Sequence, residues 1–100
     1  MEVRYIGAAI EDVREALKYL HERSPLVAAR FELELGAVVA KLREHPDFGF
    51  PVDEGFRKVG LRTLPWSIVF RVDPPAEKIW IVVVRHRLRH PSYGTGRSVP

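Results

Sequence analysis

Cysteine is missing from this chain, which excludes a disulfide framework and any thiolate metal site. No apolar run approaches the roughly 20 residues that a transmembrane helix needs. The opening MEVRYIGAAIEDV holds no apolar signal-peptide core, so a soluble cytoplasmic protein is the expectation. Acidic residues are scarce in the second half. Residues 57–100 carry nine Lys or Arg against two Asp or Glu, a net of +7, while residues 1–56 carry seven against eleven, a net of −4. Such a lopsided basic half points to an acidic or polyanionic partner. With 100 residues and no internal repeat, the chain has room for a single modest core.

What is present is organised around Lys78 to His90, KIWIVVVRHRLRH. Ile79 to Val84 form a continuous apolar run rich in β-branched residues, the pattern of a strand buried on both faces. Within one residue the character flips to Arg85, His86, Arg87, Arg89 and His90, with Leu88 alone apolar among them. A central strand thus delivers a cationic cluster to its own end.

Upstream, residues 1–6 read as a short strand. From Ala8 to about Arg23 the period becomes helical, with Ile10, Val13, Leu17 and Leu20 on one stripe and Glu11, Asp12, Arg14, Glu15 and Lys18 on the opposite face. Ser24-Pro25 is an N-cap followed by a first-turn proline, so a second helix begins there. Ala28, Phe31, Leu35, Val38 and Leu42 form its apolar stripe, and His45-Pro46 ends it. Val27, Leu33, Ala37 and Val39 widen that apolar arc beyond what one contact requires. Two helices with almost no connector fold back as a hairpin. Asp47 to Gly55 reads as a loop. Strands follow at Phe56 to Leu64, Trp66 to Asp73 and Lys78 onward, the last pair joined by a Pro74-Pro75 turn. From Pro91 the chain is turn-rich, with a domain over 1–94 and a flexible tail over 95–100.

The predicted fold is α+β, in the order β-α-α-β-β-β, a helix hairpin packed on one face of a small antiparallel sheet. Its other face then carries Lys58, Arg62, Arg71 and Arg85, a basic surface suited to phosphate or an acidic partner. Trp66 and Trp80 are expected in the core. His86 and His90 have a metal-like H-x-x-x-H spacing but straddle a strand end, so no metal site and no cofactor are predicted. Gly94 and Gly96 lack the strand and helix of a phosphate loop.

The order of elements, the Ser24-Pro25 junction, ARFELEL, LREHPDFGFPV, FRKVGLRTLPWSIVFRVD and the ending VVVRHRLRHP together resemble the RelE/ParE superfamily of type II toxin–antitoxin toxins, also described as plasmid stabilisation proteins. The resemblance covers most of the chain, to about Gly94. It implies a small, acidic, partly disordered antitoxin as partner, a homodimer or a heterotetramer with that antitoxin, no membrane, and one of two activities. A RelE-like toxin is a metal-independent endoribonuclease acting on ribosome-bound messenger RNA. Arg62 and Arg85 would then hold phosphate charge, His86 would be acid or base because histidine changes charge nearest neutral pH, and Tyr93 would assist. Lys58, Arg71, Arg87 and Arg89 would bind nucleic acid or partner. A ParE-like toxin poisons DNA gyrase as a binding protein and is not an enzyme. Strict alternation turns His86 away from Arg85, and the overall pattern favours the ParE-like branch.

Overall fold

Ser24 divides two helices as its position predicts. In the computed structural model of the chain, which describes residues 1–100, α1 spans Gly7–Arg23 and α2 spans Pro25–Glu44. The Ser24 hydroxyl accepts from the Val27 amide at 3.3 Å, and Pro25 opens the helix where no amide is needed. The α2 stripe is buried as its spacing requires: Ala28, Phe31, Leu35, Val38 and Leu42 all lie in the core. Each large side chain buried this way stabilises the fold by roughly 1.5–3 kcal/mol.

Helix α1 departs from its pattern. Its buried residues are Ala9, Asp12, Ala16 and Leu20, while Ile10 is 47% exposed. The buried stripe is turned about one position from the apolar one, because the inward face carries a carboxylate with partners waiting for it. Asp12, assigned to solvent by its charge, belongs to the core side. The helix also starts at Gly7, so no acidic residue lies in its first turn.

The strands are β1 (Glu2–Tyr5), β2 (Phe50–Pro51), β3 (Arg57–Gly60), β4 (Trp66–Asp73) and β5 (Lys78–His86), in the spatial order β1-β5-β4-β3-β2. The three-stranded antiparallel meander is as predicted. Two features go beyond it. β1 pairs in parallel with β5, aligning Glu2 with Lys78 and Tyr5 with Ile81. Phe50 and Pro51, read as loop, add a two-residue edge opposite Lys58 and Arg57. β3 is shorter than its sequence suggested, since the chain turns at Leu61 to Pro65. There the buried Glu34 carboxylate accepts from the Thr63 amide at 2.8 Å, the Leu64 amide at 3.2 Å and the Thr63 hydroxyl.

β4 alternates cleanly: Trp66, Ile68 and Phe70 are buried against the helices. β5 does not, because Val69 pairs with Val83 and Phe70 with Ile81, leaving Val82 as an inserted residue. This bulge flips the phase of the strand. Before it, Ile79 and Ile81 face the core and Trp80 lies opposite Arg71 on the outer face; after it, Val84 and His86 face the core side. Trp66 is therefore a core residue as expected, and Trp80 is not. The indole nitrogen of Trp80 and Nε of Arg71 are buried without hydrogen-bond partners. No helix is long and apolar enough to cross a membrane.

Replacing Ser24 with Ala should remove the shared cap between the helices and lower the unfolding free energy by about 1 kcal/mol, read from urea denaturation.

Candidate functional site

β1 stops at Tyr5, so β5 beyond Ile81 has an unpaired backbone edge, made worse by the bulge at Val82. An unpaired buried backbone group costs free energy, so something must fill the gap. Asp12 fills it from α1. One carboxylate oxygen accepts from the Val84 amide at 3.0 Å and from Arg97 at 2.6 Å. The other accepts from the Tyr93 hydroxyl at 2.6 Å. The Arg97 guanidinium also donates to the Val82 carbonyl at 2.8 Å. Both polar groups freed by the bulge are thus satisfied by one ion pair. Arg97, which the sequence leaves in a flexible tail, is held there. Gly94 lies on Val83 with φ +84°, and a Cβ at that position would overlap the Val83 methyl groups. The C-terminal segment therefore wraps the open edge and covers the second face of β5.

The titration of this cluster follows its geometry. Burial alone would raise the Asp12 pKa, but the bonds from Arg97, Tyr93 and the Val84 amide outweigh it and hold the carboxyl below its ordinary value. The Asp12 carboxylate, and then burial, push the Tyr93 phenol up. For Glu34, burial is likewise outweighed, by the Thr63 and Leu64 donors, and its pKa is lowered.

Of the predicted catalytic residues, Arg85, His86 and Tyr93 line one cleft and Arg62 lies apart. Lys58, Arg71 and Arg85 do share the outer sheet face, as their pairing with Val69, Trp80 and Ser67 requires. They do not converge, since Arg71 and Ser67 are four residues apart along β4, about 13 Å. Arg71 stacks on Phe56 at 4.0 Å and donates to the Glu54 carbonyl. Arg85 donates to the carbonyls of Pro91 and Tyr93 at 2.8 and 3.1 Å, so its guanidinium fastens the C-terminal segment. Arg62 is absent from this face. It lies beyond β3, on the rim of a groove beside α2, because the chain turns before its register position is reached. His86 faces the opposite side from Arg85, packing edge-on against Trp66 at 4.6 Å while its Nδ1 accepts from the Leu88 amide at 3.0 Å. His90 Nδ1 contacts Ser92 instead. Arg89 stacks over Tyr93 at 4.3 Å and pairs with Glu15 at 3.7 Å, and Arg87 makes no side-chain bond.

Two concavities flank these residues. A cleft of about 400 Å³ lies between α1 and the turn after β5, walled by Tyr19, Trp66, Arg85, His86, Leu88 and Tyr93. A broader groove of about 820 Å³ runs along α2. Leu26 and Leu33 stand on it 84% and 76% exposed, with Arg30, Lys41 and Arg62 at its rim. Of the residues that widen the apolar arc of α2, Val27, Leu33 and Ala37 line this groove, while Val39 packs against the core.

Residues 3–91 match the family described as the ParE toxin of the type II toxin–antitoxin system parDE. The chain belongs to the ParE toxin family. It is a ParE-like toxin of the type II class. Among solved structures it is similar to a chromosomal ParDE toxin–antitoxin system from P. aeruginosa, at 22% identity and a TM-score of 0.72, covering 86% of this chain and 95% of that one. It is also similar in fold to the isolated E. coli RelE toxin, at 15% identity and a TM-score of 0.59 over 92% and 89% of the two chains. The RelBE2 complex from Mycobacterium tuberculosis gives 21% identity, a TM-score of 0.58 and coverage of 86% and 90%. No curated protein sequence matches the chain. The superfamily resemblance and the α+β fold it implied are thereby established for this ParE-type chain.

Asp12 and Glu34 both titrate lower in the folded chain than in the unfolded one. Their stabilisation is therefore fully present above the ordinary carboxyl range and is lost as the pH falls through it toward the lowered folded values. Denaturation midpoints should fall over that acidic interval. Asp12→Ala should cost about 3 kcal/mol or more at neutral pH, because it strands the Arg97 charge, and should flatten the acidic fall. It should also expose the segment after Pro91 to limited proteolysis.

Proposed function

We propose that this chain is a cytoplasmic growth inhibitor that acts by binding and poisoning DNA gyrase, and that a small acidic antitoxin neutralises it. The observation that carries the reading is that the four groups a nuclease would need are not free together: Arg85, His86 and Tyr93 line one cleft, but Arg85 and Tyr93 are engaged within the fold and Arg62 lies apart. Arg62 sits beside α2, Arg85 is committed to two carbonyls on the outer face, His86 lies on the opposite face, and the Tyr93 hydroxyl is given to Asp12. General acid–base chemistry on one phosphodiester requires its donors and acceptors within hydrogen-bond reach of the same atoms. A protein that works by surface complementarity has no such requirement.

The antitoxin is proposed to lie in the α2 groove. A disordered, acidic segment folding as an amphipathic helix would cover Leu26 and Leu33 and meet Arg30, Lys41 and Arg62 at the rim. The similar structures from P. aeruginosa and M. tuberculosis are toxin–antitoxin systems or complexes, which supports a cognate antitoxin here. A homodimer, or a heterotetramer of two toxins and two antitoxins, is the proposed assembly.

Expression of the chain should arrest growth with cleaved DNA–gyrase complexes accumulating and messenger RNA intact on primer-extension gels. Cleavage of translating messenger RNA would reject gyrase poisoning in favour of the RelE-like activity. Arg85→Ala should loosen the C-terminal segment and reduce toxicity by an amount typical of one surface contact, well short of the hundredfold or more that loss of a transition-state donor costs. Leu33→Asp should weaken antitoxin capture by roughly tenfold or more, measured by calorimetry.

A further inference from the structure

The turn that follows β5 presents an exposed leucine outside the α2 groove. Leu88 stands at its tip 83% exposed, between Arg87 and Arg89. An apolar side chain so placed gains nothing from the fold, yet the backbone beneath it is fixed by three hydrogen bonds. The Arg87 amide donates to the Pro65 carbonyl at 2.8 Å, the Arg89 amide to the His86 carbonyl at 2.9 Å, and the Leu88 amide to His86 Nδ1 at 3.0 Å. The last of these mimics an Asx turn, with an imidazole in place of a carboxamide. His86 is in turn held by its packing on buried Trp66. A rigid turn presenting one leucine loses little conformational entropy when something covers it.

We infer that this turn is the toxin's target-gripping element, with Leu88 as anchor, and that its occupant is a folded protein surface carrying an apolar pocket ringed by carboxylates. The inference deepens the proposed gyrase reading by giving the contact, and its protein occupant rests on that reading. Charge complementarity selects the occupant. Arg87 and Arg89 flank Leu88 at the tip, and Glu15, paired with Arg89, is the acidic side chain engaged with them. Arg87 has no partner of its own. A nucleic acid would meet the arginines with phosphate but would leave Leu88 unused. The rings near the tip are poorly placed for base stacking, because Trp66 is buried, Tyr93 lies under Arg89, and the exposed Tyr19 ring carries the Arg23 guanidinium at 3.7 Å. Leu88 also walls the cleft with Tyr19, so a side chain from the partner can enter behind the anchor.

The test uses the full chain, with Leu88→Ser, Leu88→Met, Arg87→Glu and, as an equally polarising change at another exposed site, Ile10→Ser. Leu88→Ser and Arg87→Glu should each weaken binding to purified gyrase by roughly tenfold or more, and should raise the expression level needed for growth arrest. Leu88→Met should stay within a few-fold of the original, since it conserves volume, and Ile10→Ser should match it. Antitoxin affinity and thermal midpoint should not move in any of them. Should the unaltered chain arrest growth without binding gyrase, the gyrase reading fails, and the growth-arrest level still reports on the turn. Leu88→Ser arresting growth at the original level overturns the inference. So does a pattern in which Arg87→Glu is harmless and Leu88→Ser is not, which would mean a neutral apolar contact. The reverse pattern, with Leu88→Ser harmless, would mean a phosphate backbone.

Discussion

The carboxylate of Asp12 is the interaction on which the rest of the C-terminal half depends. β1 is too short to pair with the whole of β5, and Val82 is one residue too many for β4. Without a donor and an acceptor supplied from outside the sheet, the Val82 carbonyl and the Val84 amide would be orphaned next to the core. Asp12 and Arg97 supply both at once, and Tyr93 occupies the remaining carboxylate oxygen. The pair is partly shielded, with side-chain exposures of 3% and 19%, so its attraction is screened less than that of the surface pairs such as Arg14 with Glu11. The same network fixes where the chain runs from Pro91 to Arg97. That path then determines that Val83 is covered and that Arg85 has carbonyls to bind.

Much of this architecture was legible in the residues, for reasons that can be named. Ser24-Pro25 has a single good structural use, and the five-residue stripe of α2 has one period. Trp66 to Asp73 alternates without interruption, and its partner strands follow from turn chemistry at Pro74-Pro75. What was not legible depends on groups far apart in sequence. A carboxylate in an amphipathic helix reads as solvent-facing, which puts Asp12 on the wrong side and Ile10 in the core. Only an arginine 85 positions later explains why burying it is tolerable. An inserted residue in an all-valine run leaves no trace in composition. Val82 thereby reverses the facing of everything before it, and Trp80 moved from the core to the outer face.

The candidate site divides along the same line. Lys58, Arg71 and Arg85 were correctly placed on one face because period-2 geometry is robust within a strand. Arg62 was not, because its placement assumed that β3 continued through Leu64, and the Glu34 clamp on Thr63 ends it earlier. The exposed leucines Leu26, Leu33 and Leu88 were visible only as apolar residues. Nothing in a sequence separates a leucine that fills a core from one that waits for a partner, and the structure makes that distinction through solvent exposure.

The parallel pairing of β1 with β5 joins the two ends of the chain inside one sheet, and β5, the strand at the centre of the contacts, is the last to be made. As the chain leaves a ribosome, the helix hairpin can form from neighbours in sequence. The sheet cannot close until residue 86 and the arginine at 97 have emerged, because the strand between β1 and β4 is still missing. Long-range pairing of this kind pays its loop-closure entropy before any contact returns it. The sheet of this toxin therefore closes only after residue 97 has emerged, and forms made before then lack the strand against which the core is completed.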